Sequence, residues 1–380
     1  MTGFSFLSTY PPTRCGLATF TEALAMAITR DGEPDARIVR MMDELAQPAV
    51  AAIRTRSRIV AELASVGAAD ESAIRAAARA LSASDVAIVQ HEYGIFGGED
   101  GSDAVRVLEL LTVPSIVVLH TVLDAPTAGQ RAVLERVAGS ASALVVMTAA
   151  ALSRLREHYA IDLRKVSVIP HGVPAWAAAP REAGDHRSVL TWGLIGPGKG
   201  IEHGIRAIAA LAGSEPDVRY IVSGQTHPKV VAHEGETYRE SLHALVAELG
   251  LEDRVVLEDR YLDAAQLAAR VGSADLVLLP YDSRTQVTSG VLVEAIAAGK
   301  PVVATAFPHA VELLGDGVGT VVPHEDPAAI ADGVRAALGR LDSPNRSVAA
   351  AITGTSWADI APRYRTLADD LIAHAAVLTA

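Results

Sequence analysis

Short runs of Val, Ile and Leu alternate along this chain with longer, alanine-rich stretches whose apolar residues recur every three or four positions. Continuous apolar runs of four to six residues predict strands buried on both faces, and the helical period between them predicts covering helices. In the first half the pattern predicts strands over Phe4 to Ser8, Arg37 to Met41, Val86 to His91, Ser115 to His120, Ala143 to Met147 and Val166 to Ile169. Helices are predicted over Leu17 to Thr29, Asp103 to Leu111 and Ala128 to Val137. From Val173 to Arg187 the pattern lapses into alanines, polar residues, Pro174 and Pro180, which we read as an interdomain linker. It then restarts, with strands over Ser188 to Ile195, Arg219 to Ser223, Val255 to Leu257, Leu276 to Pro280, Pro301 to Thr305 and Gly319 to Val322. A last helix is expected at roughly Trp357 to Ala375. The fold class is therefore α/β, with two doubly wound halves whose sites form outside the carboxyl ends of the strands.

A chain of 380 residues, 50% hydrophobic, buries enough surface for two such domains. Its formal net charge of −12 argues against non-specific binding to nucleic acid or anionic lipid. The single cysteine, Cys15, rules out an internal disulfide and a cysteine-built zinc site, and it reads as a small packed residue rather than a nucleophile. Met1 to Tyr10 lacks the basic flank and apolar core of a signal peptide, and no apolar stretch reaches membrane-spanning length free of charge. A cytoplasmic location is the expectation.

Three segments of the second half carry candidate chemistry. Gly193-Leu-Ile-Gly196-Pro-Gly198-Lys199-Gly200 runs from a strand into a helix; glycines there let backbone approach phosphate, and Lys199 supplies a charge. Its spacing fits neither a Walker loop nor a dinucleotide fingerprint. As an exposed loop lysine, Lys199 should contribute little to stability. The segment Gln286-Val-Thr-Ser289-Gly290-Val291-Leu292-Val-Glu294 opens another helix, whose first N–H groups make an anion site, with Glu294 placed one turn in to bind neutral hydroxyls. A diphosphate flanked by sugars satisfies both features. Ser223-Gly224-Gln-Thr226-His227 ends a third strand, where Gly224 permits close approach and Thr226 and His227 suit a phosphate or a base.

In the first half, Thr13-Arg14-Cys15-Gly16 joins the first strand to the first helix; Gly16 forms an oxygen-binding turn and Arg14 reaches phosphate or acceptor. His91, followed by Glu92, and His120 end consecutive strands, an arrangement that favours a site. No His-x3-His pair or third ligand accompanies them, so no metal is expected.

The order of these motifs resembles retaining glycosyltransferases of family 4, with GT-B architecture, over nearly the whole chain. The family signature is Glu, seven residues, Glu; here Gln286 replaces the first Glu and Glu294 is the second. The resemblance implies two Rossmann-like domains facing a central cleft: 1–173 for the acceptor, 174–355 for the nucleotide-sugar donor, and 356–380 as a helix returning to the first domain. It implies donor binding by Gly16, Gly196, Gly198, Lys199, Gly224, Thr226, Ser289, Gly290, Val291, Leu292 and Glu294, with Glu294 on the ribose hydroxyls. His120 would contact the donor sugar and reaction centre, so His120, Lys199 and Gln286 form the expected catalytic group. Arg14, His91 and Glu92 would line the acceptor side. The family usually carries an Arg five positions before the Lys; that position is Leu194, and Arg284 and Arg260 are candidate replacements. His171 occupies the domain-crossing loop as hinge or donor contact.

The implied activity is transfer of a hexosyl unit, with retention, from a nucleotide-diphosphate sugar of the GDP-mannose or UDP-glucose type to a hydroxyl acceptor. The nucleotide sugar is a co-substrate and no cofactor is required. Partners are that donor and a carbohydrate or small-molecule acceptor, with no nucleic acid and no integral membrane segment; the oligomeric state is open. A GT-B phosphorylase or sugar-nucleotide epimerase is one alternative. A catalytically silent nucleotide-sugar-binding subunit is the other, kept open by Gln286 and Leu194.

Overall fold

The structure is a computed structural model and describes residues 2–30, 32–42, 57–65, 67–174, 186–315, 317–341, 351 and 353–379. It divides into two compact units, Met1–Gly172 with Gly354–Ala380, and Val173–Thr353. Residues 175–185, most of the expected linker, lie outside the described residues.

Unit 1 is built on β1 (Phe4–Ser8), β2 (Ala36–Met42), β3 (Ser57–Ala64), β4 (Val86–His91), β5 (Ser115–Leu119), β6 (Ala143–Val146) and β7 (Val166–Val168). All pairs are parallel, in the order β3-β2-β1-β4-β5-β6-β7. Phe6, Ile88 and Ile116 form one face of the sheet's core. Helix Gly16–Ile28 covers it with Leu24 and Ile28, and helix Trp357–Thr379 with Ile360, Tyr364 and Ala368. Fully burying a side chain of the Leu, Ile or Phe class contributes about 1.5–3 kcal/mol, so these two helices supply much of what holds the sheet. Arg365 of the later helix pairs with Glu33 at 2.6 Å and lies over the Phe4 ring, with both charged side chains almost fully buried.

Unit 2 contains β8 (Arg187–Trp192), β9 (Val218–Ser223), β10 (Val255–Glu258), β11 (Leu276–Leu279), β12 (Val302–Thr305) and β13 (Thr320–Val322), again parallel, in the order β10-β9-β8-β11-β12-β13. Alternation along β11 sends Leu276 and Leu278 to one core and Val277 and Leu279 to the other. Helices Ile201–Leu211, Thr237–Glu248 and Pro327–Leu338 cover the first face. Helices Ala264–Ser273, Gly290–Ala297 and Pro308–Leu314 cover the second. The strand order reverses once in each sheet, between β1 and β4 and between β8 and β11. Those are the switch points at which loops diverge and leave room for a ligand.

Two departures from the sequence expectation have simple causes. The strand expected from Ser188 to Ile195 stops at Trp192, because Gly193 takes φ +120° and turns the chain out of the sheet. The edge strand β3 was not expected: its SRIVAELA sequence mixes strand and helix formers, and only Leu63 of its eight residues is fully buried.

Candidate functional site

The loops after β8, β9 and β11 are tied to one another at the carboxyl end of the unit 2 sheet. Ile195 N–H donates to Gln225 O at 2.9 Å, His227 N–H to Ile195 O at 2.7 Å, and Asp282 N–H to Gly198 O at 3.0 Å. Glycine is required at two of these crossings. A Cβ on Gly200 would lie 1.9 Å from Pro280 O, and one on Gly224 would lie 1.8 Å from Gly193 O; both residues also have positive φ.

Lys199 does not behave as an exposed loop lysine. It is half-buried, with its ammonium 4.5 Å from the centre of the Tyr281 ring, which itself stacks on Phe307. Loss of hydration lowers its pKa to about 8. Gly196 and Gly198 precede this lysine in the loop, and no atom lies within 4 Å of where a Gly198 Cβ would stand.

Ser289 caps helix Gly290–Ala297: its Oγ accepts from Leu292 N–H at 3.2 Å, and its own N–H donates to His309 Nδ1 at 2.8 Å. The N–H groups of Gly290 and Val291 find no acceptor among the described residues, and they form the open end of the helix. Leu292 must be removed from the expected site. Its side chain is fully buried in the core and its N–H is already taken by Ser289. Glu294 is half-buried one turn further on. Burial pushes its pKa up to about 7, against a smaller opposing effect from the indole of Trp192, which donates to the carboxylate.

Gln286 turns its amide back on its own loop, with Nε2 donating to Thr288 O at 3.0 Å. His309, which sequence reasoning missed, holds that loop: its N–H meets Gln286 O at 3.4 Å while its ring accepts from Ser289. Thr226 also departs from expectation. It is buried, its hydroxyl donates to Glu236 and accepts from Arg239 Nε at 3.0 Å, and Arg239 reaches on to Gly224 O at 2.5 Å. The side chain therefore braces the loop instead of facing outward. Arg284 and Arg260 are exposed and pair with Glu325 and Glu258. Glu202, His203 and Asp282 bring three possible metal-ligand atoms within 4.8 Å of one another.

In unit 1, Cys15 is the N-cap of helix Gly16–Ile28, its Sγ accepting from Ala18 N–H at 3.4 Å. Arg14 and Gly16 are exposed, and the space a Gly16 Cβ would occupy is open. His91 was expected to line an acceptor surface, and the structure corrects this. Its ring is fully buried between Tyr93 and Phe96, because the turn after β4 folds over it, and neither nitrogen has a partner among the described residues. Burial lowers its pKa to about 4. Glu92 accepts from the Thr121 hydroxyl. His120 is half-buried, bonded through Nε2 to Gln90 Oε1 at 2.7 Å and packed edge-on to Phe20. Phe20 also meets His171 and Trp357. His171 bonds Gly172 O through Nδ1 at 2.7 Å.

No helix of the described residues is long and apolar enough to cross a membrane. Residues 173–352 match the family model for glycosyl transferases group 1. A D-inositol 3-phosphate glycosyltransferase of Segniliparus rotundus is 31% identical over 215 residues, 51% of this chain and 46% of the relative. A 2-deoxystreptamine glucosyltransferase of Streptomyces kanamyceticus is 28% identical over 246 residues, covering 61% and 58%. The chain spans about half the length of the first of these curated relatives. Among solved structures, a glycosyltransferase from Rickettsia africae superposes over 98% of this chain and 99% of its own, with TM-score 0.73 and 13% identity. The Anabaena HepE protein in complex with UDP does so over 97% and 100%, with TM-score 0.72 and 17% identity. The likeness at such identities is one of fold, and the two parallel α/β sheets of this chain are that fold. The chain therefore has the GT-B fold, and its second half, residues 173–352, matches the glycosyl transferases group 1 model.

Proposed function

We propose that the protein transfers a hexosyl unit, with retention, from a nucleotide-diphosphate sugar to a hydroxyl acceptor. The observation that carries this reading is the set of groups at the carboxyl end of the unit 2 sheet. Lys199 offers a cation, Gly290 and Val291 offer open N–H groups, and Glu294 offers a carboxylate with no basic partner among the described residues. A nucleoside diphosphate complements all three: phosphate for the cation and helix opening, ribose hydroxyls for the carboxylate. The same donors stabilise the diphosphate as it leaves, when its charge is greatest. In this reading, attack comes from the face the diphosphate leaves, and a phosphate oxygen takes the acceptor proton. His120 is proposed to hydrogen-bond a sugar hydroxyl.

Nucleotide binding by calorimetry and transfer from UDP- and GDP-sugars test the proposal. A uridine nucleotide is tried first because HepE was crystallised with UDP. D-Inositol 3-phosphate and 2-deoxystreptamine, both hydroxylated six-membered rings named in the relatives, head the acceptor panel. Lys199→Ala should weaken nucleotide diphosphate binding about tenfold to a hundredfold, as expected for loss of a charge-assisted contact. Glu294→Gln should weaken nucleotides but leave pyrophosphate nearly unchanged, since pyrophosphate lacks ribose. Unaltered affinity in both variants would remove the donor site from this end of the sheet. Binding with no transfer to any acceptor or to inorganic phosphate would instead support a silent binding subunit, for which the uncharged Gln286 is the motivating residue.

A further inference from the structure

We infer that Gln90 is a positioning residue for His120: it holds the imidazole in the Nε2–H tautomer, so that Nδ1 is the lone pair presented to a substrate hydroxyl. Gln90 is the penultimate residue of β4 and is fully buried, and its Oε1 lies 2.7 Å from His120 Nε2. An amide oxygen only accepts, so the histidine nitrogen facing it must carry the proton. The backbone fixes the approach, because His120 N–H donates to His91 O at 3.0 Å at the end of the neighbouring strand. Phe20 closes one side of the ring, edge-on at 4.8 Å. Among the described residues no protein group bonds Nδ1, which makes it the nitrogen available to a ligand.

The charge state is consistent with this. Burial, then the neighbouring His171 and His91, lowers the His120 pKa to about 3, and among the described residues no carboxylate acts on the ring in the opposite direction. A neutral imidazole has one acceptor and one donor, and Gln90 decides which is which. A residue that only accepts through Nδ1 discriminates for a hydroxyl hydrogen and against an anionic oxygen at that point. The part in transfer rests on the glycosyltransferase reading; the tautomer does not.

Long-range proton–nitrogen correlation spectra of nitrogen-15 histidine-labelled protein test the tautomer directly, with the His120 signals assigned by their loss in His120→Ala. The parent should show protonated Nε2 and bare Nδ1. Gln90→Leu should shift the population toward Nδ1–H and lower transfer about 10–100-fold, the range seen when a histidine's orienting partner is lost, with nucleotide affinity unchanged. Gln90→Glu retains an acceptor and should restore both the Nε2–H signature and most of the transfer. A parent spectrum showing Nδ1–H, which a reversed Gln90 amide would produce, overturns the proposal. So does an unchanged tautomer in Gln90→Leu. If the leucine variant does not fold, the parent and Gln90→Glu spectra still decide. A parent that shows Nε2–H yet transfers no sugar would defeat the functional reading while leaving the tautomer assignment intact.

Discussion

Glu294 and Lys199 carry opposite charges at opposite costs. Burial raises the carboxyl pKa to about 7 and lowers the ammonium pKa to about 8. Each group is least comfortable in the ionised form that the proposed ligand needs. Nucleotide diphosphate affinity should therefore be greatest between about pH 7 and pH 8, falling below as Glu294 takes a proton and above as Lys199 loses one. Titration calorimetry across pH 5.5 to 9.5 checks this, and Glu294→Gln should flatten only the acid limb. The same shift has a consequence for the free protein. A raised carboxyl pKa means the folded state holds a proton that the unfolded chain has released, so stability falls as pH rises toward 7. Glu294→Gln should raise the melting temperature of the unliganded protein at pH 8 and have little effect at pH 4. A lower melting temperature at pH 8 would show that the carboxylate stabilises the helix rather than waiting for a ligand. The sequence singled out Glu294 and Lys199 by their spacing from glycines and strand ends. It did not reveal their depth, because the contacts that enclose them come from other strand ends: Trp192 at the end of β8 reaches Glu294, and the ring of Tyr281 after β11 lies against Lys199.

At the scale of strands and turns, most of the fold was legible because the central parallel strands are buried on both faces and announce themselves as apolar runs. What was hidden is which rim residues turn inward. His91 and His120 both end strands, yet the turn Tyr93–Ile95 closes over the first and leaves the second half-buried. Thr226 reads as an outward polar residue until Arg239, thirteen positions later, returns on its helix to bond it. The glycines separate by the same logic. Gly224→Ala should cost several kcal/mol, because its Cβ would meet the Gly193 carbonyl oxygen at 1.8 Å. Gly16→Ala meets nothing within 4 Å and should leave stability within about 0.5 kcal/mol of the parent. If Gly16 admits a ligand oxygen, the alanine variant should transfer poorly at full stability; normal transfer would make Gly16 an ordinary helix start. Thermal unfolding and initial rates on the same two variants distinguish these outcomes.

For the molecule as a whole, the division of the chain is unequal in kind. Unit 2 is one continuous segment, Val173–Thr353, whereas unit 1 is assembled from Met1–Gly172 and Gly354–Ala380. The Glu33–Arg365 pair joins its two parts. The Arg365 guanidinium, by hydrogen bonding and charge, holds the Glu33 carboxyl below its ordinary pKa. Its contribution is complete above the ordinary carboxylate range and is lost as pH falls through the lowered value. Arg365→Met should therefore destabilise unit 1 by about 3 kcal/mol at pH 7, the scale for breaking a buried pair, and by progressively less as pH falls through that lowered value. Hydrogen exchange at the β1 amides reads this without interference from unit 2. During synthesis the arrangement imposes a delay. The face made by Phe6, Leu24 and Ile28 leaves the ribosome early, but Ile360, Tyr364 and Ala368, which complete its cover, follow only after the whole of unit 2 has been translated. At ~5–20 residues per second, the roughly 180 intervening residues take on the order of 10–40 s. Throughout that time the nascent first unit presents a greasy surface with its covering helix still unmade, a natural handhold for a chaperone, while the later unit has everything it needs to close on its own.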